Sequence, residues 1–158
     1  MPIDSKLEAK NFYLSIVVPT VDEFKNEPNN VRRGRLASIV LYHMADYWDQ
    51  FSSPNPTDKT LKLLCTQLIS KYPSFKLIRD VADASKHARL RTQTEIQRTI
   101  STTDQISRQP GLLEAPFGTG VFAEASVIVV THDDGTVSEL KPAIENVLAM
   151  WNAMVAQL

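Results

Sequence analysis

The sequence is poor in the features that mark secreted and membrane-embedded proteins. Its single cysteine, Cys65, excludes an intramolecular disulfide. No apolar run approaches the roughly 18 residues that a membrane-spanning helix needs. The N-terminus, MPIDSKLEAK, lacks the charged-then-apolar pattern of a signal peptide. A cytoplasmic protein without a membrane partner is therefore the simplest prediction.

Motifs of several common enzyme classes are also missing. The chain has no Gly-x-Ser-x-Gly nucleophile elbow, and the glycine-containing stretch 116–120 lacks the Gly-Lys-Ser/Thr of a phosphate loop. The segment 133–135, Asp-Asp-Gly, lacks the further acidic positions of a calcium loop and is typical of a hairpin turn. Cys65 stands among leucines on the apolar side of a predicted helix, where we expect a raised pKa and an unreactive thiol.

What is present fits one folded domain, 1–158. The chain has 158 residues, of which 43% are hydrophobic and 22% charged, as in an ordinary globular protein. Its formal net charge is -1, but residues 31–91 carry eleven Lys or Arg against five Asp or Glu, and residues 92–158 carry three against eight. A basic surface can meet phosphate or an acidic partner. Because no aromatic or Gly-rich nucleic-acid motif accompanies the charge, we favour pairing with the acidic half of the same chain.

The clearest helix is predicted for Phe75–Arg91, after Pro73 and with Ser74 as its N-cap. Apolar residues recur on one side of it at helical spacing. The opposite side carries four polar residues, namely Lys76, Asp80, Asp83 and His87. The simplest interpretation of this side is a solvated face with one i,i+4 pair. The alternative is that Asp83 orients the His87 imidazole or helps to bind a metal.

Period and turn signals elsewhere predict further helices and a β-hairpin. The other helices are expected at about 6–17, ended by Pro19, at 31–51, from 57 or 58 onward, and at the C-terminus, with Pro142 in the first turn. Strands are predicted at 121–131 and 136–140, and the Thr-rich stretch 92–107 favours strand or irregular structure. The predicted fold class is therefore α+β, mainly α. A bundle of four or five helices (about 5–91) precedes a loop, a β-hairpin and a C-terminal helix (about 92–158).

Histidines and carboxylates on two of these helices are the candidates for chemistry. His43 falls at the edge of the apolar stripe of the 31–51 helix, where a packed structural histidine is common, and Asp46 lies one turn on. If the 31–51 helix packs antiparallel against the Phe75–Arg91 helix, His43 and Asp46 could also lie close to Asp83 and His87. The catalytic candidates are His43, His87 and Asp83, the binding candidates are Lys86, Arg79 and Arg35, and the candidate metal ligands are His43, Asp46, Asp83 and His87. Such ligands would suit zinc or iron, although we favour no cofactor.

The helical layout of residues 31–91 resembles that of the small helical HEPN domains, many of which are ribonucleases in toxin and defence systems. Their motif is an Arg followed four to six residues later by a His on one helix. Here Arg35 and His43, and likewise Arg79 and His87, have seven residues between them, so no functional residue carries over. The segment 80–87, Asp-Val-Ala-Asp-Ala-Ser-Lys-His, is also similar to Asp-x-x-Asn-x-x-Lys-His segments in small bacterial proteins of unknown function.

Two functional classes follow from these observations. The first is a non-enzymatic binding or accessory module, with homodimerisation through a helix face. The second is a nuclease-like or metal-dependent hydrolase that uses His43, Asp46, Asp83 and His87. In it a neutral imidazole would take a proton and a neighbouring Arg or Lys would stabilise developing charge on RNA or another phosphate-bearing ligand. We favour the first class, because His and Asp spacings of this kind are not specific.

Overall fold

The computed structural model describes residues 4–87, 90, 96–110 and 126–158, and these residues form the mainly helical α+β fold that the sequence predicts. The helices are α1 (Ser5–Phe12), α2 (Val18–Asn26), α3 (Val31–Ser52), α4 (Asp58–Lys71), α5 (Pro73–Lys86) and α6 (Leu140–Val155). A π-helical turn (Tyr13–Val17) joins α1 to α2, and a 3-10 turn (Thr103–Gln105) precedes the first strand. The strands are β1 (Ile106–Gln109), β2 (Val127–Thr131) and β3 (Val137–Glu139). No helix in these ranges is long and apolar enough to cross a membrane.

The first helical segment continues past the proline at which the sequence predicts its end. Pro19 lies in the first turn of α2, where the fixed φ of proline is compatible with a helix. The π turn before it closes a wider ring, in which the Val18 N–H bonds to the Tyr13 carbonyl. Because proline has no N–H to donate to the preceding turn, this wider turn lets the helix pass through Pro19. The predicted end at Pro19 is therefore wrong.

Helix α3 is the central helix of the core. It packs mainly against α5, α1 and α2, and α6 packs against both α5 and α3. Trp151 of α6 is fully buried and donates its indole N–H to the Leu41 carbonyl oxygen at 2.9 Å, so this large side chain brings no unpaired donor into the core. Gly34 of α3 allows β2 and the start of α6 to approach this helix closely. A Cβ there would lie 3.0 Å from side-chain atoms of both Ile128 and Leu140.

The three strands form one antiparallel sheet in the order β1-β2-β3. The predicted hairpin turn is confirmed, with Gly135 at a φ of 85°, a conformation that favours glycine. Strand β1 begins at the end of the Thr-rich stretch 92–107 and adds a third strand to the predicted hairpin. The predicted strand residues 121–125 lie outside the described residues. Helix α6 begins at Leu140, so Pro142 lies in its first turn, as the sequence predicts.

Helix α5 differs from its prediction at both ends. It begins at Pro73 without a side-chain cap, so the assignment of Ser74 as N-cap is wrong. It ends at Lys86, because His87 already has an extended backbone. The predicted end at Arg91 is therefore wrong as well.

The polar side of α5 is largely buried. Asp80 is 0% exposed and Asp83 is 7% exposed, so the interpretation as a solvated face is wrong. The described ion pairs made by the basic side chains of residues 31–91 are local, as in the pairing of Lys76 and Arg79 with Asp80. Within the described ranges, no basic side chain of residues 31–91 pairs with an acidic one of residues 92–158.

Candidate functional site

A cluster of charged side chains lies inside the protein on the polar side of α5. The Asp80 carboxylate accepts from Arg79 Nε at 2.8 Å and pairs with Arg79 Nη2 at 2.6 Å. Lys76 Nζ lies 3.0 Å from its other oxygen. Thr99 donates two hydrogen bonds to that same oxygen, from its backbone N–H at 3.0 Å and its hydroxyl at 3.2 Å. A charge removed from water needs such partners, and they fix the segment around Thr99 to α5.

Asp83 and His87, whose hydrogen bond is the alternative to a solvated face in the sequence analysis, have separate surroundings. Asp83 Oδ2 is bound by Arg98, whose Nε and Nη2 lie at 2.9 and 2.8 Å. His87 donates its backbone N–H to the Asp83 carbonyl oxygen at 3.1 Å. Its exposed side chain has no recorded bond or ring contact with the described residues. Asp83 therefore orients Arg98, and the predicted bond from the His87 imidazole is wrong.

His43 and Asp46, one turn apart on α3, are in direct contact. His43 Nδ1 lies 2.8 Å from Asp46 Oδ2, and the two side chains are 49% and 43% exposed. The edge of the imidazole packs against the rings of Phe12 and Tyr47. The pair lines a recess of about 220 Å³ that also includes residues of α1. A contact between exposed side chains of this kind adds little to stability, and the ring packing fits the boundary histidine that the sequence predicts.

Two contacts define how α3 and α5 lie relative to each other. Arg35 of α3 donates from Nε to the Ser85 hydroxyl of α5 at 3.1 Å. Seven residues further along α3, the Tyr42 ring packs against Phe75 with 5.9 Å between centroids. The helices are therefore antiparallel, and the middle of α3 lies beside the start of α5.

His43 therefore lies beside the start of α5, whereas His87 follows the end of α5. At a rise of 1.5 Å per residue, roughly 12–18 Å of helix separate them, whereas zinc ligands bind within about 2.3 Å of the ion. In the described part of the chain, no group of three or more His, Cys, Asp or Glu residues could hold a metal ion. The predicted metal site of His43, Asp46, Asp83 and His87 is thus not assembled in this structure. The catalytic roles predicted for His43 and His87 singly stay predictions.

The three predicted binding residues differ in how far their charges are available. Arg79 is 4% exposed and its guanidinium is used by Asp80 and by the Gln97 carbonyl. Arg35 is half-buried and bonded to Ser85. Lys86 is exposed, with its Nζ 5.4 Å from the centroid of an aromatic ring. Of the three, Lys86 is the one whose charge faces solvent. The charge of Arg79 is used inside the protein, in its contacts with Asp80 and the Gln97 carbonyl.

The predicted rise in the pKa of Cys65 is confirmed. Cys65 is 8% exposed, and burial raises the pKa of its thiol to about 11, an increase that a hydrogen bond with Tyr42 partly offsets. Burial also raises the pKa of Tyr42. Neither group is an anion at neutral pH, so this pair supplies no nucleophile there.

A hydrogen-bonded chain that the sequence does not single out runs from Asp80 to the hairpin. His132 follows β2, and its Nδ1 lies 2.7 Å from Thr99 Oγ1. Its Nε2 lies 2.8 Å from Ser138 Oγ on β3. Since the Thr99 hydroxyl also reaches Asp80, four side chains are linked in the order Asp80, Thr99, His132, Ser138. Both ring nitrogens have partners, so the orientation of the imidazole is fixed.

Thr99, His132 and Ser138 line an open cleft of about 520 Å³. The cleft lies between the start of α5, the start of α6 and the β2–β3 hairpin. Its apolar wall consists of Pro73, Leu77, Pro142 and Ala143. Asn146 of α6 donates to the Ser74 hydroxyl of α5 at 3.1 Å, and this bond joins the two helices at the cleft.

The charged groups of the cleft are mostly acidic. Lys76 lines it, but its ammonium is paired with Asp80. Asp134 and Glu139 also line it, and both are exposed. Hydrogen bonds from the hydroxyl and backbone N–H of Thr136 hold the pKa of Asp134 below its usual value. The rim therefore carries negative charge at neutral pH.

Part of this site has a signal in the sequence. Val130 pairs with Ser138 in the antiparallel register, and His132 lies two residues beyond Val130. Side chains two residues apart share a face of a strand, so His132 and Ser138 are diagonal neighbours once the hairpin is assumed. Thr99 is 33 residues from His132, and no local pattern indicates that contact.

Comparison of the chain with known protein families, with curated proteins and with solved structures gave no match. The resemblance to HEPN domains and the nuclease-like alternative therefore stay predictions.

Proposed function

We propose that this protein is a binding module that holds a small polar ligand, uncharged or cationic, in the cleft between α5, α6 and the hairpin. The hydrogen-bonded chain of Thr99, His132 and Ser138 along the cleft wall carries the proposal. Its anchor is Asp80, a fully buried carboxylate. These polar groups are therefore held in place before a ligand arrives, which reduces the conformational entropy lost on binding.

The size and lining of the cleft support this proposal. Ligand sites are usually clefts of about 300–1,000 Å³ with mostly apolar walls and a few fixed polar groups. This cleft has a volume of about 520 Å³ and combines Leu77 and Pro142 with the hydroxyls of Thr99 and Ser138. A compound with one apolar ring and one or two hydrogen-bonding groups matches both parts of the lining.

The charge of the cleft decides between ligand classes. Lys76 is held by Asp80, whereas Asp134 and Glu139 are exposed carboxylates at the rim. Like charges brought together on binding are unfavourable, so an uncharged or cationic ligand is favoured over a phosphate. The RNA or phosphate ligand predicted from the sequence gains no support at this cleft. The homodimer stays a prediction.

Nuclear magnetic resonance with isotope-labelled protein tests the proposal. Benzamide and benzyl alcohol, each an apolar ring with one polar group, are titrated separately, and inorganic phosphate provides the anionic comparison. We expect the backbone amide signals of Thr99, His132 and Ser138 to shift with the two aromatic compounds and to change little with phosphate.

Two tryptophan variants of α6 provide the matched control. Asn146→Trp places a large side chain in the cleft and should abolish the shifts. Glu145→Trp changes the neighbouring exposed residue, which does not line the cleft, and should keep them. Absence of shifts with both aromatic compounds, or shifts confined to the recess around His43, would refute binding in the cleft. Stronger binding of phosphate would refute the charge argument.

A further inference from the structure

We propose that Ser138 is a nucleophile toward uncharged carboxylic esters, with His132 as its general base and with Thr99 and Asp80 as positioning residues. This inference rests on the binding cleft proposed above and names the class of compound that the cleft accepts. Ser138 and His132 both line the cleft, and 2.8 Å separate the Ser138 hydroxyl oxygen from His132 Nε2. That distance is within the range for proton transfer between a nucleophile and its base.

The hydrogen-bonded chain determines which ring nitrogen of His132 carries the proton. The Asp80 carboxylate, paired with Lys76 and Arg79, accepts hydrogen bonds and donates none. The single hydroxyl proton of Thr99 is directed at Asp80, so the oxygen lone pairs of Thr99 are left to accept from His132 Nδ1. His132 then carries its proton on Nδ1. Its Nε2 has a free lone pair facing Ser138, which is the tautomer that a general base requires.

The reaction follows from this arrangement. Ser138 Oγ attacks the ester carbonyl carbon while its proton moves to His132 Nε2, and the carbonyl electron pair moves to the oxygen. When the tetrahedral intermediate collapses, the bond from carbon to the alkoxy oxygen breaks and His132 Nε2 returns the proton to the leaving alcohol. Water then attacks the acyl carbon of the Ser138 ester and gives a proton to His132 Nε2. The bond from that carbon to Ser138 Oγ breaks, His132 returns the proton to Oγ, and the carboxylic acid leaves. The imidazolium that forms on His132 keeps its hydrogen bond from Nδ1 to the Thr99 oxygen, whose own proton is held by Asp80.

The position of Ser138 in the fold also favours this chemistry. Helix α6 begins two residues after Ser138, its first turn lines the same cleft, and no side chain caps it. The start of a helix carries partial positive charge, which stabilises negative charge developing nearby. Ser138 lies on a strand instead of the sharp strand-to-helix turn of a Gly-x-Ser-x-Gly elbow. Its access to substrate therefore depends on the open cleft.

Covalent labelling tests the role of Ser138. The folded protein is incubated with an alkyl fluorophosphonate, which phosphonylates activated serines, and the adduct is located by mass spectrometry of peptides. Hydrolysis of p-nitrophenyl acetate is followed in parallel. We expect one adduct on Ser138 and none in Ser138→Ala. His132→Gln should lower both rates by at least about 100-fold, the lower end of the usual contribution of a general base. Ser107→Ala, which changes an exposed serine on β1, should leave both rates unchanged.

The tautomer of His132 gives a readout that is independent of activity. Nitrogen chemical shifts should show a protonated Nδ1 and an unprotonated Nε2 in the wild type. Thr99→Val has nearly the same shape but cannot relay the bond to Asp80. In Thr99→Val, His132 should lose its preference for a protonated Nδ1. The fluorophosphonate should react more slowly with Ser138, while the circular dichroism spectrum stays that of the wild type. A proton found on Nε2 in the wild type would overturn the proposed positioning.

The remaining outcomes separate the two proposals. If Ser138 stays unlabelled while benzamide still shifts the cleft amides, the nucleophile is overturned and the binding site stands. If neither labelling nor binding is observed, both proposals fail. Equal labelling rates in wild type and His132→Gln would remove His132 as the base.

Discussion

Replacement of Asp80 by asparagine tests whether the buried cluster anchors the cleft wall. The substitution keeps the size of the side chain, so it opens no cavity. It removes the negative charge that partners Arg79, which is 4% exposed, and Lys76. Removal of one partner of a buried ion pair typically costs about 3–5 kcal/mol, because the other charge is left without compensation. Asparagine keeps one acceptor oxygen, so we expect a loss of about 3 kcal/mol.

That loss is large compared with the stability of an ordinary domain, which is about 5–15 kcal/mol. For a chain of this size, 1 kcal/mol corresponds to about 2–4 °C in melting temperature. We therefore expect a decrease of about 6–12 °C in thermal melts. Urea unfolding followed by circular dichroism should show a lower midpoint with an unchanged slope.

A surface variant and a double-mutant cycle complete this test. Glu145→Gln removes an exposed charge 3.9 Å from Lys141 and should change stability by less than about 0.5 kcal/mol. The cycle of Arg79→Met with Asp80→Asn should give a coupling energy above about 1 kcal/mol, because the two residues share one buried pair. A loss below about 1 kcal/mol in Asp80→Asn, or additive effects in the cycle, would refute the reasoning.

Two further predictions concern the core. Because burial raises the pKa of Cys65 from 9.0 to about 11, alkylation by iodoacetamide at pH 8 should be at least about 100-fold slower than in the urea-unfolded chain. The stabilisation linked to its protonated thiol is fully present below about pH 9 and decreases as the pH rises through the folded-state pKa. Equal alkylation rates in the folded and unfolded chains would contradict the burial of Cys65. Gly34→Ala should lower stability by about 1–2 kcal/mol, since crowding against Ile128 and Leu140 exceeds the gain in helix propensity. Ile128→Val should relieve part of that loss in urea unfolding, and no loss in Gly34→Ala would contradict the close approach.

Local patterns in the sequence determined most of the secondary structure. The apolar stripe and turn signals of α3 and the hairpin turn at Gly135 depend on residues within a few positions of each other, so they can be read without knowing the fold. The end of a helix is harder to predict, because it depends on competing interactions. Pro19 shows this, since a π turn lets the helix continue through it.

Only the tertiary structure decided the environment of the polar residues on α5. Periodicity assigns Asp80 and Asp83 to the side away from the apolar stripe, and that assignment alone predicts exposure. The segment that carries Arg98 and Thr99 covers this side and supplies the partners that make burial of the charges tolerable. The sequence contains these partners, but nothing local indicates that they return to α5.

In the candidate site, too, some contacts follow from local sequence and others only from the tertiary structure. The spacing of His43 and Asp46 places them one turn apart on one helix, and the structure shows that they are in contact. The diagonal position of His132 and Ser138 follows from the hairpin, because strand alternation is local. The separation of His43 from His87, and the contact of His132 with Thr99, depend on how distant segments pack. Backbone hydrogen bonds and side-chain periodicity act over a few residues, whereas the proximity of distant segments is set by the packing of the whole core.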